Sequence, residues 1–180
     1  MANTFRFAQG YEVGASLCEK DAAEVARAIL EKAKAAGCHV LLPADAVVAE
    51  KLEPNALSRV VKLMPGPDGI GAKEAIFDIG PNSLAQVIDA MRVSKTLIWN
   101  GPLGVFEVPP FDKGTVAAAK EAAHLAKAGK LIAVAGGGDT VSALNHAGVA
   151  GDLTFVSTAG GAFLEWMEGK ALPGVEALRT

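Results

Sequence analysis

The chain has 180 residues and a formal net charge of -3, enough length for one domain with a hydrophobic core. Hydrophobic residues make up 51% of it and aromatic ones 6%, an Ala/Val/Leu/Ile interior of the kind built by strands buried on both faces. No basic cluster interleaves with aromatics, no apolar run is long enough to span a bilayer, and no apolar signal core follows Met1. Nucleic acid and membrane are therefore excluded as expected partners, and a soluble cytoplasmic protein is expected.

The N-terminal stretch with Phe5, Phe7, Gly10, Tyr11 and Gly14 reads as a short helix followed by turns. A helix follows, because Ala22, Val25, Ala26, Ile29, Leu30 and Ala33 recur at helical spacing. Acidic Asp21 and Glu24 precede basic Lys32 and Lys34, which suits the helix dipole, and Gly37 stops the helix. Cys18 and Cys38 lack metal-site spacing and read as thiols of a reducing compartment. His39-Val40-Leu41-Leu42 reads as a buried strand ended by Pro43, with His39 a structural residue. Asp45 to Leu52 is ambiguous, although Val47-Val48 favours a strand. Pro54, Pro65, Gly66, Pro67, Asp68, Gly69 and Gly71 mark irregular chain.

Ile76 to Ile79 is a short extended piece. Gly80-Pro81-Asn82-Ser83 is a turn ending in a helix N-cap, and Leu84, Val87, Ile88 and Met91 form the next helical face. Thr96 to Trp99 is a buried strand running into the loop Asn100 to Glu107. After Pro109-Pro110 a helix spans roughly Lys113 to Ala128 and closes at Gly129. Leu131 to Ala135 is a strand, followed by Gly136-Gly137-Gly138-Asp139-Thr140 and a short helix from Val141 to His146. Thr154 to Ser157 is the last strand, Ala159-Gly160-Gly161 leads into a helix near Ala162 to Glu168, and Pro173-Gly174 begins an irregular tail.

Strands alternating with helices predict an α/β fold with a mainly parallel sheet. The loops after Trp99, Ala135 and Ser157 all leave the carboxyl ends of strands, the edge that holds the ligand in open parallel sheets. The Gly136–Thr140 turn lets a ligand approach with no Cβ in the way, and the following helix start offers free N–H groups, so it suits phosphate. Asp139 repels phosphate unless a cation such as Mg²⁺ lies between them. The same residues also suit a tight turn with Asp139 or Thr140 as helix N-cap. Gly160-Gly161 is a second helix start that can face anionic oxygens. Glu107 suits two vicinal ribose hydroxyls, although taken alone it reads first as a solvated loop carboxylate. Trp99 and Phe106 fit core packing. His124 and His146 fall in helical patterns, and no oriented Ser/His/Asp set is evident.

G-x-x-x-x-G-K-[ST] and G-x-G-x-x-G are absent, which disfavours a P-loop NTPase and a dinucleotide-binding dehydrogenase. None of the three glycine loops carries Lys or Arg. If this rim transfers phosphoryl groups, its positive charge comes from Mg²⁺ and from protein outside the chain.

Ile98-Trp99-Asn100-Gly101-Pro102-Leu103-Gly104-Val105-Phe106-Glu107, Gly136-Gly137-Gly138-Asp139-Thr140 and Ser157-Thr158-Ala159-Gly160-Gly161-Ala162-Phe163-Leu164-Glu165 closely resemble phosphoglycerate kinase. Met1 to Phe5, Gln9 to Gly14, Asp78 to Ser83 and Leu172 to Val175 resemble it too. The resemblance covers the C-terminal, nucleotide-binding domain. It implies a Rossmann-like three-layer αβα fold, incomplete relative to the family, and a glycolytic kinase acting on 1,3-bisphosphoglycerate and ADP with Mg²⁺.

By resemblance, Glu107 binds ribose hydroxyls, and Gly137, Gly138, Asp139 and Thr140 hold the nucleotide phosphates, with Asp139 on Mg²⁺. Asn100 lies near the phosphates, and Pro102, Gly104 and Val105 wall the adenosine. Phe77 stands where the family usually has Leu in the adenine pocket. Gly137, Gly138, Gly160 and Gly161 face the transferring group, and Ser157-Thr158 lie near a hinge. Ala159 replaces the first of three glycines that usually follow Ser-Thr. The family's N-terminal domain, which binds 3-phosphoglycerate, and its Gly-Gly-Ala-Lys-Val segment have no counterpart in the 180 residues. An internal methionine of the family's motif coincides with Met1, so a truncated chain is expected, inactive and marginally stable alone, from an enzyme that is usually monomeric. The alternative is a non-catalytic nucleotide-binding module.

Overall fold

The computed structural model describes residues 1–64, 69–157 and 159–179. Pro65, Gly66, Pro67 and Asp68, expected as irregular chain, and Thr158, expected near a hinge, lie outside the described residues. The chain forms two compact units. The first comprises Met1–Asp89 and Leu103–Gly114, the second Ala90–Pro102 and Thr115–Thr180.

The first unit opens with α1 (Ala2–Ala8) and α2 (Ala23–Ala35). Ala8, Ala23 and Ala26 are buried together, with Phe5 and Phe7 packed on them; small side chains on facing helices let the two backbones approach closely. A three-stranded antiparallel sheet follows, in the order β2-β1-β3: β1 is Asp45–Ala49, β2 Arg59–Lys62 and β3 Ala75–Ile79. Ala46 and Val48 of the central strand are fully buried in a cluster with Val61, Leu63 and Ile70. The bulge between Val47 and Val48 shifts the β1–β3 register.

Two expectations change here. His39–Leu42 forms no strand, and Val40 and Leu41 are exposed. A short apolar run carries no information on its partner; the pairing goes to Asp45–Ala49, where Ala46, Val47 and Val48 have partners on both β2 and β3. Arg59–Lys62, expected as irregular chain, is an edge strand with only Val61 buried. A mostly exposed edge strand has no hydrophobic pattern to read.

α3 (Pro81–Val93) begins in this unit. Its start differs from the expected cap at Ser83. Proline at the first helical position needs no N–H partner, and the next two N–H groups go to a carboxylate on another strand. Asp45 accepts from the Asn82 N–H at 3.0 Å on Oδ2 and from the Ser83 N–H at 2.7 Å on Oδ1. Ser83 Oγ in turn accepts from the Ala44 and Asp45 N–H groups. The cap is therefore tertiary.

The second unit holds a parallel sheet in the order β4-β5-β6, with β4 Thr96–Trp99, β5 Ile132–Gly136 and β6 Phe155–Ser157. α4 (Lys113–Lys127) runs from β4's loop back to β5, and its Ala118, Ala119, Ala122, Ala123 and Leu125 are buried. α5 (Gly138–His146) and α6 (Gly160–Met167) start directly after β5 and β6, three and two residues earlier than the hydrophobic pattern suggests. The tail expected to be irregular contains one turn of helix, α7 (Pro173–Glu176). One sheet row, Ile98 paired with Val134 paired with Phe155, carries apolar side chains that stay open: Ile98 is 42%, Phe155 61% and Ile132, two residues from Val134, 54% exposed. Among the described residues, no helix is long and apolar enough to cross a membrane.

Candidate functional site

In the second unit the three parallel strands end together, Trp99 level with Ala135 and Gly136 level with Ser157. Three loops leave this edge, as their order in the chain leads one to expect. Gly137 is the residue before α5, at φ 98 and ψ 145, a backbone conformation open to glycine alone. Its N–H donates to the Ser157 carbonyl at 3.3 Å. Gly160, first in α6, rests on it: a Cβ on Gly160 would lie 2.4 Å from both the Cα and the N of Gly137. The starts of α5 and α6 are thus in backbone contact, which only a residue without a side chain permits.

Around the other side of Gly137 stand Asn100 and Thr140. A Cβ on Gly137 would lie 3.6 Å from Asn100 Oδ1 and 3.7 Å from Thr140 Oγ1, ordinary contact distances. Conformation, rather than room, is what demands glycine there. Among the described residues, a Cβ on Gly138 or Gly161 would meet nothing within 4 Å, so neither helix start is obstructed by them. Asp139 is exposed in the first turn of α5. Thr140 is buried, and its Oγ1 accepts from the Gly101 N–H at 2.7 Å. The Gly101 carbonyl accepts from Trp99 Nε1–H at 2.6 Å. Trp99 and Thr140 therefore hold one residue, Gly101, by its carbonyl and its N–H, the two peptide groups that flank its Cα. This fixes Asn100 and Pro102 on either side. Trp99 is a core residue, as expected, and also a clamp, which the sequence alone left unread.

The remaining predicted site residues belong to the first unit. The Val105 N–H donates to the Phe77 carbonyl at 2.8 Å. Phe77 meets the fully buried Phe111 ring, centroids 5.0 Å apart and tilted by 53°. Phe106 is buried and Glu107 is exposed. Gly104 abuts the buried carboxylate of Asp78: a Cβ there would lie 2.3 Å from Asp78 Oδ1. Asp78 accepts from the Gly114 N–H on Oδ2 and from the Ile79 N–H on Oδ1, each at 2.8 Å. Burial pushes its pKa up to about 6, against the pull of these hydrogen bonds, and the nearby Asp112 adds to the rise. Asp78 escaped the sequence reading as a site residue. The available signal was a charged residue inside the otherwise apolar strand Ala75–Ile79.

Among the described residues, no group of three or more His, Cys, Asp or Glu is placed to hold a metal ion by itself. The arrangement instead offers two adjacent, unobstructed helix starts with one carboxylate beside them. The chemistry of such a set suits an anion together with a shared cation.

A family model described as phosphoglycerate kinase matches residues 1–170. The chain belongs to the phosphoglycerate kinase family. It is 66% identical over 180 residues to the phosphoglycerate kinase of Caulobacter vibrioides, covering all of this chain and 44% of that protein. It is 60% identical over 179 residues to that of Xanthobacter autotrophicus, again 44% of its length. Among solved structures, phosphoglycerate kinase from Coxiella burnetii superposes with a TM-score of 0.89 at 41% identity, over 97% of this chain and 43% of that one. Phosphoglycerate kinase from Pyrococcus horikoshii OT3 matches with a TM-score of 0.78 at 27% identity, over 99% and 43% of the two chains. The chain thus spans less than half the length of the phosphoglycerate kinases it matches. The expected α/β, Rossmann-like class holds, with a partial parallel sheet.

Proposed function

We propose that these 180 residues carry the magnesium-nucleotide half of a phosphoglycerate kinase site. The reaction moves a phosphoryl group between 1,3-bisphosphoglycerate and ADP, giving 3-phosphoglycerate and ATP. Within the family so established, the observation that carries this reading is the contact of Gly160 on Gly137, which puts two helix starts side by side at the carboxyl edge of β5 and β6. Two sets of unpaired N–H groups at such an edge suit a polyphosphate.

The residues divide the work by their chemistry. Gly138 and Thr140 bind the nucleotide phosphates through backbone N–H groups of the first turn of α5, and Gly137, whose own N–H is engaged by Ser157, shapes the turn that presents them. Gly160 and Gly161 present the second helix start to the transferring group. Asn100, held beside the clamped Gly101, orients phosphate oxygens. Asp139, exposed in the first turn of α5, would hold Mg²⁺, whose remaining ligands would be phosphate and water oxygens, as suits an ion that keeps most of its water. Bound Mg²⁺ supplies positive charge that phosphoryl transfer needs and that the glycine loops themselves lack. Phe77, Pro102, Gly104 and Val105 contact adenosine, and Glu107 accepts hydrogen bonds from ribose hydroxyls. Ordinary acceptor chemistry supports the last role, since a carboxylate has two oxygens for two hydroxyls.

The second substrate, 3-phosphoglycerate, binds outside these residues, to a domain of the longer enzyme, which acts as a monomer in the cytoplasm. The 180 residues alone bind nucleotide without turning it over. Isothermal titration of the chain with MgADP tests this. One saturable site, weakened by Asp139→Asn and by Glu107→Ala, with no ATP consumption in the presence of 3-phosphoglycerate, is the expected result. Absence of saturable binding overturns the nucleotide reading, and turnover by the chain alone overturns the half-site reading.

A further inference from the structure

Asp78 is 1% exposed, and nothing in the phosphate and ribose chemistry above uses it. Its surroundings are unusual. The space that two side chains would occupy is filled by its carboxylate: a Cβ on Gly104 would lie 2.3 Å from Oδ1, and one on Gly114 2.5 Å from the same atom. Both oxygens are engaged by backbone N–H groups, Oδ2 by Gly114 and Oδ1 by Ile79. An apolar side chain of the same size would fill the space and leave the buried Gly114 N–H without an acceptor, at a large desolvation cost. The neighbouring residue works on the same loop. The Phe77 carbonyl takes the Val105 N–H at 2.8 Å, and the Phe77 ring lies against Phe111. Two consecutive residues of β3 therefore grip both ends of the segment from Gly104 to Gly114: a main-chain carbonyl and a carboxylate at the Gly104–Val105 end, the same carboxylate at the Gly114 end.

We infer that Asp78 is a positioning residue for the adenosine end of the nucleotide. Its carboxylate sets the backbone of Gly104 and Val105 by standing between Gly104 and the Gly114 N–H. The inference rests on the nucleotide reading given above. It assigns Asp78 to the adenosine end and not to the phosphate-binding turn, which belongs to the other unit.

Asp78→Asn tests it, because the amide keeps the shape and sets an N–H₂ donor against one of two N–H donors. The full 180-residue chain is titrated with MgADP and, separately, with magnesium tripolyphosphate, which has no adenosine. The expected result is about a tenfold loss of MgADP affinity, the size of one hydrogen bond to a charged group, with tripolyphosphate affinity kept within about twofold. Gly114→Ala, which pushes a methyl onto Asp78 Oδ1 and alters no proposed nucleotide contact, gives the same split and serves if the Asn variant does not fold. A parental chain that binds neither ligand overturns the nucleotide reading and this inference with it. A parental chain that binds, with variants that bind MgADP equally well, overturns the inference alone. Equal losses for both ligands in both variants also overturn it, because they assign Asp78 to folding and not to positioning.

Discussion

Gly160 lies so close on Gly137 that a methyl on the first would sit 2.4 Å from two backbone atoms of the second. Backbone cannot move aside as a flexible side chain can. Gly160→Ala is therefore expected to destabilise the chain by about 1–3 kcal/mol, the usual cost of overpacking, and to weaken nucleotide binding. Gly161→Ala, whose new methyl meets no described residue within 4 Å, is expected to stay within about 0.5 kcal/mol of the parent. Urea unfolding of the two variants measures the contrast, and equal effects at the two sites would contradict the packing.

Gly137 differs in kind. Its surroundings leave room for a methyl, and its φ of 98 does not suit an L side chain. Gly137→Ala should cost about 1–3 kcal/mol through backbone strain alone. Gly137→Ser should cost as much, because the penalty does not depend on the size of the side chain. A variant series whose destabilisation grows with side-chain volume would show that space is the constraint.

Asp45 caps α3 from a neighbouring strand, 37 and 38 residues away in the chain. Asp45→Ala removes the acceptor for two helix N–H groups, one of them buried, and should destabilise by about 2–4 kcal/mol, combining a lost cap with a buried unpaired donor. Asn82→Ala, which keeps the main-chain N–H, should be within about 0.5 kcal/mol of the parent. Chemical denaturation of both variants checks the assignment.

Asp78 gives stability a pH dependence of defined sign. Its folded pKa of about 6 lies above its ordinary value of 3.8, so between these values the folded chain holds a proton that the unfolded chain has released. Its contribution is most favourable below pH 4 and is lost as pH rises through about 6, by up to about 3 kcal/mol. Asp78→Asn has no such titration. The difference in unfolding free energy between parent and variant should therefore change between pH 4 and 7 in the variant's favour as pH rises. A constant difference across that range would contradict it.

The open apolar row of the parallel sheet predicts self-association. Ile98, Ile132 and Phe155 stay exposed on a sheet type normally covered on both faces. The 180-residue chain should sediment as oligomer or aggregate at micromolar concentration, and Ile132→Thr with Phe155→Thr should raise the monomer fraction. A sharp, reversible thermal transition of a monomeric parent chain would contradict this.

In the longer enzyme, Asp139→Ala should lower kcat about tenfold or more, and Glu107→Ala should chiefly raise the nucleotide KM by a similar factor, each removing a charged contact worth about 1.5–3 kcal/mol. Steady-state kinetics in MgADP distinguish the two. Unchanged constants in both variants would refute the residue roles.

The helices and parallel strands of the second unit were legible because each carries its own signal. Thr96–Trp99 and Leu131–Ala135 are apolar runs bounded by polar or glycine residues, and Lys113–Lys127 repeats small apolar residues at helical spacing. The first unit was less legible. Its edge strand Arg59–Lys62 buries only Val61, and its central strand is distinguished from the neighbouring run His39–Leu42 by partners rather than composition. The glycine turn was visible, and so was the carboxylate of Asp139 within it, whose exposure the structure adds. The roles of Thr140, Trp99 and Asp78 as holders of backbone were not, since a hydroxyl, an indole and a carboxylate each suit many partners until folding supplies one.

The sequence by itself determined the family, the α/β class and the positions of the glycine loops, because these rest on local residue order and on periodicity. Only the tertiary structure decided which glycines are obligatory and why. Gly160 must lack a side chain because Gly137 lies against it, Gly137 because of its own φ, and Gly104 because Asp78 fills its side-chain space. Such contacts join residues far apart in the chain, and no local pattern encodes the distance between them.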